Sequence, residues 1–349
     1  MKPDAKTTVL ATSVKEFCTS IAADRLWVQG AGGNVSWKDG HVLWIKASGQ
    51  WLKHSTANEI FVAVDLLDLQ HHLEQANYSV TPKLVEHSLL RPSIETLLHA
   101  LMPHKVVVHL HPIELLAILV REDPESELHS LLGTSINWIF VNYHKPGKEL
   151  ARAVAAKLSN RASCDAVFLQ NHGVVIGGET IAQVMSILDA LKQITQSKVH
   201  TQSLTAEIEV GSLDGALLKI GYRRTQDAEL NALATSPELS KRLTVDWALY
   251  PDHVVFLGKA ACTDVRSLLA NHTNLSNEKP PFIFSIDDGV FESTTLSQEQ
   301  RAQLLCYYDV LVRQTSSAKL VSLTAQHVSE LMDWDAEKYR ASLSRSVGG

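Results

Sequence analysis

Apolar positions along this chain switch between two rhythms. From Val9 to Leu26 they recur at helical spacing, which predicts an amphipathic opening helix. Dense short runs near 41–46 and 60–65 predict strands. Lys105 to His111 reads Lys-Val-Val-Val-His-Leu-His and predicts another strand, ended by Pro112, which has no N–H to give a sheet ladder. Ala166–Leu169 and Val174–Ile176 read as strand pieces on either side of Asn171-His172-Gly173. Helical patterns cover Ile94–Leu101, Ile113–Val120, Lys148–Leu158 and Ile181–His200. This alternation of strands and helices predicts the α/β class.

A polar stretch, Ser203–Asp214, reads as a junction, giving a first domain over 1–210 and a smaller α/β extension over 211–349. Within the extension, Val254–Leu257 and Phe282–Ser285 are read as strands, and Gln298–Arg313 and Ala325–Asp333 as helices, with Ser297 as a cap. Asp287-Asp288-Gly289 lacks the other ligands of a calcium loop and reads as a plain turn. Tyr307, Tyr308 and Trp334 read as packing residues.

Composition narrows the class. Hydrophobic residues make up 45% and charged residues 20% of the 349, as in an ordinary soluble protein. A net charge of −6 argues against nucleic-acid binding as the main role. The four cysteines, Cys18, Cys164, Cys262 and Cys306, show no Cys-x-x-Cys spacing, so reduced thiols in the cytoplasm are expected. The opening residues do not read as a signal peptide, and Val106–Val120 is too short and too polar for a membrane span.

The candidate chemistry rests on histidines. Residues two apart on a strand point the same way, so His109 and His111 are expected to present both imidazoles on one face, at a strand end. His172 follows a second strand and can reach the same centre. Three neutral imidazoles with an open position fit a catalytic divalent metal such as zinc. Glu95 lies four residues before His99, and Pro92 and Ser93 suit a helix start. His99 is read as a supporting or packing residue. Gln29-Gly30-Ala31-Gly32-Gly33-Asn34-Val35-Ser36 frees backbone amides to turn toward an anion, yet matches neither the dinucleotide fingerprint nor the P-loop. A second small turn, Lys46-Ala47-Ser48-Gly49, follows.

Gly33-Asn34-Val35-Ser36, Ser48-Gly49, Ser93-Ile94-Glu95 with His99, Val108-His109-Leu110-His111-Pro112 and Asn171-His172-Gly173 together resemble the class II aldolase/adducin family, in its order and at about its spacing, over roughly residues 8–205. The resemblance implies a three-layer α/β/α domain around a mainly antiparallel sheet. It implies that His109, His111 and His172 bind the metal, usually zinc, and that Glu95 is the acid/base carboxylate. It further implies that Gly33, Asn34, Ser48, Gly49 and Ser93 hold the substrate's phosphate, and that the protein is a homo-oligomer, typically a tetramer. Ile94 departs from the serine pair of many phosphate-binding members and leaves the phosphorylation of the substrate open.

Arg91–Pro112 and Asp333–Arg340 further resemble the aldolase part of bifunctional rhamnulose-phosphate aldolase/lactaldehyde dehydrogenase proteins, though no dinucleotide-binding domain follows here and dehydrogenase activity is not expected. The implied reaction is reversible cleavage of a ketose, taken as a ketose 1-phosphate, through a metal-stabilised enediolate. The alternatives are a sugar-phosphate epimerase or dehydratase on the same metal site, or a non-catalytic adducin-like binding module. A glutamate at 95 leans toward the aldolase. The expected partner is a small sugar or sugar phosphate, with no nucleic acid and no membrane.

Overall fold

A computed structural model describes residues 5–161, 163–196, 201–209, 211–271 and 279–346. The chain divides into two units, Met1–Lys198 and Val199–Gly349.

The first unit opens with helix α1 (Ala5–Ile21), followed by strands β1 (Asn34–Asp39), β2 (Val42–Lys46) and β3 (Phe61–Asp65). Helices α2 (Leu66–Glu74) and α3 (Thr96–Leu101), strand β4 (Val106–Leu110) and helices α4 (Ile113–Leu119) and α5 (Pro124–Leu132) come next. Strand β5 (Trp138–Val141), helix α6 (Lys148–Leu158), strands β6 (Ala166–Leu169) and β7 (Gly173–Gly178), and helix α7 (Ile181–Gln196) complete it.

These strands form one sheet in the order β3-β2-β1-β4-β7-β6-β5. Every pairing is antiparallel except β5 with β6. Helices α2, α3 and α6 pack on one face, where Leu43, Ile45, Val62 and Val64 meet Leu69, Leu97 and Ala100. Helices α1, α4 and α7 pack on the other. The result is the three-layer α/β/α domain with a mainly antiparallel sheet. Burial of both sheet faces explains why the central strand Val106–Leu110 is buried throughout, and apolar but for His109, rather than alternating.

The second unit holds a three-stranded antiparallel sheet in the order β8-β10-β9, formed by β8 (Tyr222–Arg224), β9 (Phe282–Ser285) and β10 (Gly289–Ser293). Its helices are α8 (Ser212–Lys219), α9 (Ala228–Thr235), α10 (Pro237–Val245), α11 (Pro251–Leu257), α12 (Val265–Asn271), α13 (Gln298–Leu311), α14 (Ala325–Met332) and α15 (Asp335–Ser346). Residues 201–209 join this unit, through Gln202 N–H to Val312 O at 2.9 Å and Tyr308 Oη to Leu204 O at 2.6 Å.

Several boundaries differ from the sequence reading. Val254–Leu257 is helical, not a strand. Pro251 at the first helical position presets the backbone, and packing of Val254, Phe256 and Leu257 in the core overrides their strand preference. The opening helix stops at Ile21, because residues 22–28 run through turns in which Asp24 Oδ1 takes the Leu26 N–H at 2.9 Å. Helix α3 begins at Thr96 rather than Ile94, since Pro92 is paired in extended form with Ala47. The last residues of the Ile181–His200 prediction, 197–200, lie outside the described residues. Asp287-Asp288-Gly289 is a turn, with Ser285 Oγ donating to Asp288 Oδ2 at 2.8 Å. Tyr307 is buried and donates to Arg242 O and Asp246 O.

Candidate functional site

The site forms where β4 ends. Strand β4 lies between β1 and β7, with His109 opposite Asn34 on one side and Val175 on the other. His111 is the first residue past the strand, and Pro112 caps α4 immediately after. His172 comes from the three-residue loop between β6 and β7, where Leu169 pairs with Gly173. Asn171 in that loop has φ of 52°, a left-handed conformation that asparagine tolerates. His172 therefore sits in the turn, not within the strand run.

Two glycines let these pieces close up. A Cβ on Gly173 would lie 2.4 Å from Leu110 O and 2.8 Å from His111 Cδ2. Gly33 has φ of +70°, and a Cβ there would lie 3.0 Å from His109 O. Only glycine permits both approaches without backbone movement.

The three imidazoles converge. Their ligand atoms all lie within 4.8 Å of one another, and all three residues are buried. His109 Nε2 and His111 Nε2 are 3.2 Å apart. Ring centroids are 4.9 Å apart for His109–His111, 4.9 Å for His109–His172 and 5.3 Å for His111–His172. Two nitrogens bound tetrahedrally at zinc–nitrogen lengths of about 2.0–2.1 Å would be about 3.3 Å apart. His109 Nδ1 faces Val174 O at 3.1 Å, so its proton sits on Nδ1 and the Nε2 lone pair points inward.

Glu95 completes the cluster. Its Oε2 lies 3.4 Å from His109 Nε2, and its Oε1 lies 3.5 Å from His172 Nε2. Asn34 Nδ2 donates to Oε2 at 2.8 Å. Oε1 is buried and takes no hydrogen bond. Glu95 stands at the N-cap of α3, and its own N–H donates to Ser93 Oγ at 3.2 Å. A buried carboxylate oxygen without a hydrogen bond, 3.5 Å from His172 Nε2 and beside three converging imidazoles, fits a divalent cation held in this cluster.

His99, one turn further along α3, does not join this group. Its Nδ1 pairs with Ser36 Oγ at 2.8 Å. Burial above all, and then repulsion from His109, Lys38 and Lys46, holds its pKa well below the usual histidine value, so it stays neutral.

The glycine-rich turn and the Ser48-Gly49 turn are drawn together by Lys46, which the sequence reading passed over. Lys46 is 1% exposed, and its Nζ donates to Ala31 O at 2.7 Å and Gln50 O at 2.8 Å. The signal in the sequence was a lysine directly after the apolar run Val42–Ile45, two residues before Ser48-Gly49. Ser48 N–H donates to Arg91 O at 2.9 Å, which sets this turn beside the segment leading to Ser93. Ser93 is buried and Ile94 half-buried. The structure thus brings Asn34, Glu95 and the three histidines into contact, and links Ser48 to the approach of Ser93 through backbone.

Residues 14–199 match the model of the class II aldolase and adducin N-terminal domain. The chain belongs to that family. Its relatives include L-fuculose phosphate aldolase of Methanococcus maripaludis, 26% identical over 180 residues that cover 50% of this chain and 87% of the relative. The uncharacterized oxidoreductase YuxG of Bacillus subtilis (strain 168) is 28% identical over 201 residues, which are 52% of this chain. The chain spans only 29% of that relative's length. Among solved structures, the N-terminal class II aldolase domain of a conserved protein from Thermoplasma acidophilum aligns at 24% identity with a TM-score of 0.47, covering 56% of this chain and 95% of that one. The family match ends where the first unit ends, so the second unit stands outside it.

All four cysteines are free. Among the described residues, no helix is long and apolar enough to cross a membrane.

Proposed function

We propose that the first unit is a divalent-metal aldolase that reversibly cleaves a ketose, in its 1-phosphate form, with zinc as the metal. The observation that carries this reading is the placement of Glu95 within 3.4–3.5 Å of two of the three converging imidazoles. The name of the Methanococcus relative supports a sugar phosphate as substrate. His109, His111 and His172 would hold the ion, which when bound supplies Lewis-acid polarisation of the substrate carbonyl.

Glu95 moves the proton. In the cleavage direction it delivers a proton to the carbon of the donor fragment; in synthesis it removes it. Asn34 fixes Oε2 and leaves Oε1 to face the reacting carbon. The phosphate would lie over Gly33, Ser48, Gly49 and Ser93, with Lys46 holding the two turns in register and the Asn34 side chain given to Glu95. Ile94 donates no hydrogen bond, so this pocket relies on Ser93 and backbone amides where other members use two hydroxyls.

The test begins with elemental analysis of untagged protein, with His109→Ala alongside. About one divalent ion per chain, lost in the variant, is the expected result. Ketose 1-phosphates are then screened for aldehyde release, and Glu95→Gln should keep the ion and abolish proton exchange on the donor fragment. No metal in the wild type, before or after reconstitution, would overturn the reading in favour of an adducin-like binding module. Epimerised or dehydrated products without aldehyde would reassign the reaction on the same site.

A further inference from the structure

Strand β1 alternates between two kinds of residue. Val35 and Trp37 are buried and apolar, as a strand over a core should be. Asn34, Ser36 and Lys38 share the opposite face, and all three reach the same helix. Asn34 Nδ2 donates to Glu95 Oε2 at 2.8 Å, Ser36 Oγ pairs with His99 Nδ1 at 2.8 Å, and Lys38 Nζ donates to Met102 O. The rungs follow from matched periods: two strand residues advance about 6.8 Å and four helical residues about 6.0 Å. Alternate residues of β1 therefore hold successive turns of α3, with strand and helix running the same way.

Helix α3 needs such anchors. It has 6 residues, and a helix that short has no independent stability in water. Glu95 stands at its N-cap without a side-chain bond to the helix's own amides. The height of α3 along β1 thus decides where the Glu95 carboxylate lies. Strand β4 makes that height matter. His109 pairs across from Asn34, so Asn34, Glu95 and His109 form one row, and Ser36, His99 and Val107 form the next.

The middle rung is the one that packing does not require. Ser36 and His99 are both fully buried, and His99 Nε2 has no hydrogen-bond partner. A leucine in that place would bury apolar surface and leave no unmet nitrogen, so the imidazole costs stability that a packing role alone does not explain. What it adds is a directional bond that fits one height of the helix. We propose that the Ser36–His99 pair is a positioning device that sets the Glu95 carboxylate against the metal site. The proposal rests on the aldolase reading for what Glu95 does there; the placement of Glu95 does not.

The double variant Ser36→Ala, His99→Leu in the full chain tests this. It removes both partners at once and orphans neither, so the melting temperature should stay near that of the wild type. Metal content and KM should hold, while proton exchange on the donor fragment slows by up to about 100-fold, the size expected when a reacting group is misplaced by about 1 Å. A second readout needs no turnover. The Asn34 side-chain amide, isotope-labelled and followed by NMR, should exchange with solvent at least about tenfold faster in the double variant. His99→Asn keeps a polar atom where Nδ1 stands, and should hold the wild-type amide exchange even as the cavity it leaves lowers its melting temperature. Amide exchange at the wild-type rate in the double variant would overturn the proposal. So would amide exchange in His99→Asn as fast as in His99→Leu. Absence of donor-fragment exchange in the wild type would remove the aldolase reading, and the amide comparison would still decide the placement.

Discussion

Asn34 donates its side-chain amide to Glu95 Oε2 at 2.8 Å, the same oxygen that lies 3.4 Å from His109 Nε2. The resemblance places Asn34 among phosphate-holding residues; its side chain in this structure is committed to the carboxylate. Asn34→Ala should therefore act on proton transfer more than on substrate affinity. Loss of a hydrogen bond to a charged group is worth about 1.5–3 kcal/mol. Donor-fragment proton exchange should slow about 10–100-fold, with metal content and KM little changed. A raised KM at unchanged exchange rate would return Asn34 to the phosphate.

Lys46 links the two turns of the proposed phosphate pocket through Ala31 O and Gln50 O. Lys46→Met keeps the stem and removes the donors, leaving both carbonyls short of a partner. The expected loss is about 1.5–3 kcal/mol, read as a lower denaturation midpoint. Phosphate ester affinity in the first unit should fall with it, because the turns lose their common anchor.

Gly173 lies against Leu110 O and the His111 ring. Gly173→Ala would set a methyl 2.4 Å from Leu110 O and 2.8 Å from His111 Cδ2. Leu110 is paired with Val174 in the sheet, so its carbonyl yields only if β4 and β7 separate. Overpacking of this kind costs about 1–3 kcal/mol. Metal stoichiometry should drop together with the melting temperature; a variant that melts lower yet binds metal fully would show that the strain is relieved away from His111.

The sequence made the centre of the site readable and left its supports hidden. His109 and His111 were legible because a valine run defines a strand and strands have a period of two. From local pattern Glu95 reads as a helix-start glutamate, and the resemblance alone gives it an acid/base role; its contact with Asn34 crosses 61 positions and no local pattern carries it. Strand β1 escaped notice because Asn34-Val-Ser-Trp-Lys-Asp reads as polar, although β2 and β4 pair with it on both sides. Its Ser36 hydroxyl is consumed by His99, and that pairing is what allows polar residues in a buried strand. Val254–Leu257 differs for the opposite reason: its residues favour a strand locally, but Pro251 at the helix start and burial of Val254, Phe256 and Leu257 make it helical.

His253 gives the second unit a pH response that follows from its surroundings. It is fully buried among the rings of Trp247, Tyr250 and Tyr307, with centroids at 4.3, 5.4 and 4.7 Å. The Ala248 N–H donates to its Nε2 at 3.4 Å. Burial pushes its pKa down from 6.5 to about 3. The folded state therefore resists a proton that the unfolded chain takes up readily below pH 6.5. Its contribution is constant above 6.5 and is lost as the pH falls toward 3. Between pH 6.5 and 4.5 the loss should reach about 2–3 kcal/mol, at roughly 1.36 kcal/mol per unit. Chemical denaturation across that range should show the slope in wild type and a flatter one in His253→Phe, which keeps the ring packing without a titrating group. An identical slope in both would assign the acid sensitivity to other groups and leave His253 with a packing role alone.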